Sequence, residues 1–309
     1  MHVIEDVWGM AEAFPRVVLT VGSFDGVHLG HRRILDEVVQ EAGRREGTAA
    51  VLTMRPHPRR FFAPERAPNL LTTDAKKLAL FEAAGVDAVF FLPFTEETAG
   101  LDPREFVARV VRDRCRSVHV VVGHDFRFGR GAVGDFDLLA SLGPAYGFTA
   151  QQVDALLLDG ERVSSTVIRE LLLEGDLEGA EAFLGRKYSL AGEVVPGRGV
   201  GRKLGFPTAN VLPHVAAVPA HGVYAAEAIV EGVAHVAAVN IGIAPTIRQE
   251  DVVVEAFLLD YDASLVGKSV EIVFHRRLRP ERKFASPAAL VQQINRDVAD
   301  IRAYMARRS

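Results

Sequence analysis

One cysteine in 309 residues, Cys115, leaves no partner for an intramolecular disulfide and no thiolate cluster for zinc; it reads as an inert packing side chain. No apolar stretch approaches the ~18 residues that cross a bilayer. The opening Met1-His2-Val3-Ile4-Glu5-Asp6 also lacks the cationic segment that starts a signal peptide. A cytoplasmic protein without membrane contact is the expectation. Positive charge is not in excess either: 36 Lys and Arg stand against 40 Asp and Glu, a formal net charge of −4. Neither half carries the basic stripe, interleaved with aromatics, of a nucleic-acid groove, so the expected partners are small molecules held by local sites. Self-association is not readable from the chain.

What is present is a globular composition, 49% hydrophobic and 25% charged. The length suits roughly two domains. A boundary near residue 185 separates a part with 20 basic and 28 acidic residues from one with 16 and 12, and the local pattern changes there too. The expected domains are therefore residues 1–185 and 186–309.

From Val17 to Val153, β-branched runs alternate with stretches of helical period. Strands are predicted at Val17–Val21, Thr48–Thr53, Val86–Leu92, Val118–Val122 and Phe148–Val153. Helices are predicted over Arg32–Arg44, after a cap at Thr73 or Asp74, and from Pro103. This alternation implies an α/β fold with a doubly wound parallel sheet, whose ligands sit beyond the carboxyl ends of the strands.

The loop after the first of these strands, Gly22-Ser23-Phe24-Asp25-Gly26-Val27-His28-Leu29-Gly30-His31, is neither a dinucleotide fingerprint nor a Walker A loop. Two histidines three apart at a helix start add imidazole donors to free N–H groups that already favour anions. Gly26 and Gly30 let the backbone approach a nucleotide. A capping loop with two surface histidines is the plain alternative, and a metal pair is a weaker one, for want of a third ligand nearby. Ser164-Ser165-Thr166-Val167-Ile168-Arg169 supplies hydroxyls and an arginine suited to phosphate oxygens, although alone it is equally an ordinary serine cap.

After Leu184-Gly185-Arg186-Lys187 the pattern becomes strands with short turns: Val223–Val230 and Val233–Val239 flank Glu231-Gly232, then Val252–Leu259 and Ser269–His275 follow, with a helix over Pro287–Met305. A small antiparallel β-barrel with a C-terminal helix is expected. Its chemistry centres on Gly197 to Asn210. Gly197, Gly199 and Gly201 can offer N–H groups to phosphate, a glycine-rich turn being the plainer reading. In Pro207-Thr208-Ala209-Asn210, Thr208 and Asn210 present oxygens on one side of an extended chain, as Mg²⁺ requires. Glu255 alternates onto a face shared with Val253 and Phe257.

Four ordered motifs in the first half, the loop at 22–31, Thr53-Met54-Arg55-Pro56-His57-Pro58, Val122-Gly123-His124-Asp125-Phe126-Arg127-Phe128-Gly129 and Ser164 to Arg169, resemble the adenylyltransferase module of bacterial bifunctional riboflavin kinase/FAD synthetases. The second-half segment ending Pro207-Thr208-Ala209-Asn210 resembles the ATP- and magnesium-binding signature of riboflavin kinases, so the likeness spans nearly the whole chain. It implies a nucleotidyltransferase domain followed by a kinase barrel. Riboflavin is phosphorylated by ATP to FMN, and FMN is then adenylylated by ATP to FAD. By the same resemblance Phe24, Asp25, Gly26, His28, His31, Ser165, Thr166 and Arg169 bind the first domain's ATP, His28 and His31 acting in catalysis. His57, Pro58, Asp125 and Arg127 lie toward FMN. In the second domain Gly199, Gly201, Lys203, Thr208 and Asn210 bind ATP and its Mg²⁺, Phe257 and Arg279 meet the flavin, and Glu255 is the general base. The alternatives are a single-activity adenylyltransferase with an inactive barrel, and a flavin-responsive binding protein without turnover.

Overall fold

The computed structural model describes residues 1–66, 69–197, 199–214, 217–243 and 252–307. The chain forms two compact units, the first Met1–Pro68 with Asp74–Ser164, the second Asn69–Thr73 with Ser165–Ser309.

In the first unit the elements run β1 (His2–Ile4), β2 (Val17–Val21), α1 (Leu29–Arg44), β3 (Thr48–Arg55), α2 (Pro58–Phe62), α3 (Asp74–Ala83) and β4 (Ala88–Pro93). They continue with α4 (Glu96–Gly100), α5 (Pro103–Phe106), β5 (Ser117–Gly123), α6 (Phe136–Tyr146), β6 (Thr149–Val153) and a small hairpin, β7 (Leu157–Leu158) with β8 (Glu161–Arg162). The six long-range strands pair in parallel in the order β1-β4-β3-β2-β5-β6. Alternate residues of each strand point to opposite faces. Leu19, Leu52, Phe90 and Val120 join Phe106, Val110 and Leu139 on one side. Val51, Val89 and Phe91 meet Leu35 and Phe81 on the other, where Val18 and Val121 meet Val38. Helices thus cover both faces, which is the expected doubly wound sheet. Asp102 and Glu105 form a reciprocal cap with Pro103 as the first residue of α5; the helix then runs on with π geometry over Val107–Arg114. The edge strand β1 was beyond pattern reading, three residues being too short for any period to register.

The second unit opens with α7 (Ser165–Glu174) and α8 (Leu177–Leu184). It continues with β9 (Ser189–Val195), α9 (Val200–Lys203), β10 (Ala209–Pro213), β11 (Gly222–Val230), β12 (Val233–Ile243), β13 (Val252–Leu258), β14 (Ser269–Arg279) and α10 (Pro287–Ala306). The six strands close into an antiparallel barrel, β10-β13-β12-β11-β14-β9. Glu231 and Gly232 both take positive φ, 51° and 83°, as a two-residue hairpin turn between right-twisted strands demands. Val194, Tyr224, Val239, Val254, Ala256, Ile272 and Phe274 are fully or almost fully buried. Ser286 caps α10 through Ala289 N–H, with Pro287 at its first turn, and Ile301 and Met305 of this helix pack on Ala225 and Leu259. Among the described residues no helix is long and apolar enough to cross a membrane.

Candidate functional site

Strand β2 pairs with β3 on one side and β5 on the other, so the sheet's order reverses beside it and a crevice opens beyond its carboxyl end. The loop after β2 is unusually wound: Phe24, Gly26 and Val27 have φ of 49°, 84° and 40°. A β-branched residue at positive φ is rare and persists only where the surroundings hold it. Phe24 and Val27 are buried, and Phe24 meets Phe81 edge-on with centroids 5.5 Å apart. His28 caps α1, its Nδ1 accepting from His31 N–H at 3.2 Å, so the proton of the neutral ring sits on Nε2. The His28 and His31 rings stack with centroids 3.6 Å apart and 14° between planes. A Cβ at Gly30 would stand 3.2 Å from the His28 ring, which is why the helix can start so close beneath it.

His31 has its pKa held well below the ordinary histidine value of 6.5, by burial first, then by His28 and by the Lys77 ammonium. Its Nδ1 is buried and has no hydrogen-bond partner among the described residues. A stacked imidazole pair at a helix N-terminus, with the His31 Nδ1 lacking a partner among the described residues, suits a polar ligand.

His31 borders a cleft of about 510 Å³ together with Gly22, Phe24, Met54, Pro58, Asp125 and Arg127. His57 takes another place: its Nδ1 accepts from Arg59 N–H at 3.2 Å and caps α2, which leaves Pro58 at the cleft wall. Asp125 pairs with Arg162 at 3.3 Å. Arg127 pairs with Asp135 at 3.2 Å, while Phe126 and Phe128 stack on each other. Asp25 is buried beside the histidines in sequence. Ser165, Thr166 and Arg169 open α7 in the second unit, where Arg169 donates to the carbonyls of Asn69 (2.9 Å) and Ser165 (3.1 Å).

The barrel carries two clefts that share Thr208. One, about 500 Å³, is lined by Gly197, Gly199, Arg202, Thr208, Asn210 and Tyr261 among others. The other, about 410 Å³, is lined by Gly201, Thr208, Asn240, Glu255, Phe257, Arg279 and Asp297 among others. Gly197 is required because any side chain there would collide with the Asn210 amide, and a Cβ at Gly201 would strike the Phe206 carbonyl. Only Gly199 of the three takes positive φ, 67°, where it starts α9. The Lys203 side chain lies outside the described residues. Glu255 stands opposite Asn210 on β10 and Asn240 on β12. Its neighbours Val254 and Ala256 point into the barrel, so the carboxylate is on the outer face, within the second cleft. Phe257 meets Phe206 edge-on at 5.5 Å. Arg279 is held by Asp297 of α10, with its Nη2 2.7 Å from one carboxylate oxygen and its Nε 3.1 Å from the other.

Thr208 and Asn210 offer two neutral oxygens to one cleft, and no cluster of three His, Cys, Asp or Glu exists among the described residues. That donor set fits Mg²⁺ arriving with a nucleotide whose phosphates complete its shell, since the ion binds through few protein groups. Sequence reasoning missed Lys77, Asp135, Asn240 and Asp297. Each is an ordinary polar residue in its local pattern; Asp135 meets Arg127 eight residues before it, whereas Lys77, Asn240 and Asp297 meet Ser23, Glu255 and Arg279 only across the fold.

Residues 11–167 match the FAD synthetase family model and residues 184–305 the riboflavin kinase family model. A bifunctional riboflavin kinase/FMN adenylyltransferase of Pseudomonas fluorescens is 41% identical over 290 residues, covering 94% of this chain and 93% of that protein. The protein of the same name from Escherichia coli K12 is 38% identical, covering 91% and 90%. Among solved structures, a macrolide-efflux protein from Streptococcus pneumoniae matches with a TM-score of 0.85 and 25% identity, over 97% of this chain and 98% of that one.

Proposed function

Because the chain belongs to the bifunctional riboflavin kinase/FMN adenylyltransferase family, we propose that its two reactions are divided between the two sites just described. It is an enzyme of flavin cofactor biosynthesis: ATP phosphorylates riboflavin to FMN with release of ADP, and a second ATP adenylylates FMN to FAD with release of pyrophosphate. The proposed functional boundary lies at Gly185/Arg186, close to where the second family match begins.

In the kinase domain, Glu255 accepts the proton of the ribityl 5′-hydroxyl as that oxygen attacks the γ-phosphorus of ATP and ADP departs. The flavin occupies the cleft containing Glu255, Phe257 and Arg279, and ATP the neighbouring cleft with Gly199, Gly201 and Asn210. The reacting phosphorus then lies near Thr208, which borders both clefts. Thr208 and Asn210 would hold Mg²⁺, whose contribution when bound is to neutralise charge on the transferring phosphates. Lys203 belongs to the same proposal. Arg279, fixed by Asp297, lines the flavin cleft and brings its positive charge to it.

In the adenylyltransferase domain a phosphate oxygen of FMN attacks the α-phosphorus of ATP directly, and pyrophosphate leaves. No enzyme nucleophile is needed, so catalysis rests on positioning and on stabilising developing charge. His28 and His31 donate to phosphate oxygens at the start of α1, with Phe24, Asp25 and Gly26 shaping the nucleotide's seat. The family likeness assigns Ser165, Thr166 and Arg169 to the same ATP. FMN enters the cleft lined by Pro58, Asp125 and Arg127, with His57 next to Pro58 at the start of α2 on the same side. A cytoplasmic location and small-molecule partners follow from ATP being the donor in both steps.

One observation carries this division: the polar groups suited to each reaction line separate clefts, His31 in one and Glu255 with Thr208 in another. The test is a time course with riboflavin, ATP and Mg²⁺, resolved by chromatography, beside a reaction started from FMN. FMN preceding FAD, with FAD also formed from supplied FMN, supports both sites. FAD formed only from supplied FMN would remove the kinase role from the barrel.

A further inference from the structure

A buried lysine is costly unless its charge is matched and its N–H groups are used. Lys77, in the first turn of α3, is only 7% exposed. Its Nζ lies 3.2 Å from Asp74 Oδ1 and donates to the Ser23 carbonyl at 3.3 Å. Asp74 is shared: its Oδ2 accepts from Arg55 Nε at 2.8 Å, and Arg55 also pairs with Glu5 at 2.5 Å while lying 3.6 Å over the Phe91 ring. Two cations and two carboxylates thus form a closed chain with one end in solvent and the other on the main chain of the strained loop. Ser23 immediately precedes Phe24, the first residue of that loop at positive φ. The same ammonium acts on His31 through space.

Building on the adenylyltransferase reading, we propose that Lys77 is a positioning residue of that site, tethering the phosphate-binding loop through the Ser23 carbonyl and supplying the fixed positive charge beside His31. The tether holds Phe24 to Val27 in the conformation that lets His28 cap α1 and stack on His31. The charge adds to burial and to His28 in disfavouring protonation of His31, so the ring stays free to exchange hydrogen bonds with phosphate, while the site remains attractive to a polyanion. The charged and titratable groups around His31 are His28 and Asp25 on its own loop, Lys77 from α3, and Asp125 and Arg127 across the cleft. Of these, His28 and Lys77 are the ones that lower its pKa.

The experiment compares the parent with Lys77→Met, Lys77→Gln and Lys77→Arg. Trp8, the only tryptophan and part of the first unit's core, reports that the unit is folded. The His31 titration is followed by NMR of isotopically labelled histidine without substrate. In Lys77→Met it moves up toward 6.5, the acid limb of the FMN adenylylation profile follows it, and the rate falls by more than about tenfold. Riboflavin phosphorylation stays at the parent rate. Lys77→Gln keeps an N–H donor without the charge and decides the same question should the methionine variant not fold. Lys77→Arg restores the low His31 titration and most of the rate. An unmoved His31 titration in the charge-removing variants, or adenylylation within about twofold of the parent, overturns the proposal. Failure of the parent itself to convert FMN would instead sink the adenylyltransferase reading, which the substrate-free titration does not depend on.

Discussion

In the first unit the imidazoles of His28 and His31, proposed as phosphate donors, stand where a loop at the sheet's switch point enters a helix, with three residues of that loop at positive φ. In the second, Glu255 stands in mid-strand on a closed barrel, flanked by regular antiparallel partners on β10 and β12. On the proposed reading the same task, setting an acceptor oxygen in line with a phosphorus of ATP, falls to a loop with positive φ in one unit and to a regular strand in the other. Adenylyl transfer to a phosphate oxygen asks for donors and no base, which suits backbone N–H groups and neutral imidazoles. Phosphoryl transfer to a hydroxyl asks for one well-placed base, which suits a strand.

That contrast breaks most visibly at Glu255. Glu255→Gln is expected to slow FMN formation from riboflavin by about 10²–10⁴, the usual worth of a general base, and to leave conversion of FMN to FAD within about twofold; product-resolved chromatography reads both. His28→Ala is the mirror experiment, with FAD formation down by about 10²–10³ and phosphorylation intact. Because His28 also caps α1, the first unit should lose about 1 kcal/mol in chemical denaturation followed at Trp8. Equal loss of both activities in either variant would mean the sites are not separate.

Asp297→Ala tests the rigid side of the comparison. It strands the largely buried Arg279 guanidinium, so the barrel should lose about 3 kcal/mol in thermal or chemical unfolding, and riboflavin KM should rise. The smallest effect is acidification. His31 is harder to protonate folded than unfolded, so below the ordinary value of 6.5 the unfolded chain binds a proton that the folded one refuses. Stability from this group is therefore full above that value and declines as pH falls toward the depressed folded pKa. Denaturation midpoints across this range should show a decline in the parent that His31→Gln reduces.

The two regions also differed in how openly the sequence declared them. Loop chemistry in an α/β unit is contiguous: Phe24 to His31 lie in one stretch after a plain β-branched strand, which made them one of the motifs that carried the family likeness. The alternation of Val17–Val21 and Thr48–Arg55 with amphipathic α1 made the doubly wound sheet legible, because each strand is buried on both faces. Barrel chemistry is dispersed. Thr208, Glu255, Arg279 and Asp297 meet only after closure, and Asp297 reads locally as one more solvated helix carboxylate. Strands β9 and β10 escaped explicit prediction because Gly192 and Glu193 interrupt the apolar run of one, and Asn210 and Pro213 bound that of the other. His57 caps α2 through Arg59 N–H, a local role that its motif does not announce. Lys77 was hidden for the same reason as Asp297: its partner, the Ser23 carbonyl, leaves no trace in composition or period.

Separate sites on one chain make a demand that a single shared site could not meet. Mixing Glu255→Gln with His28→Ala, each unable to make FAD from riboflavin, should restore conversion of riboflavin to FAD, with free FMN rising first as the product of the His28→Ala enzyme and then being consumed by the other. A mixture that yields no FAD, while each variant still performs its own half-reaction or neither does, would contradict the account.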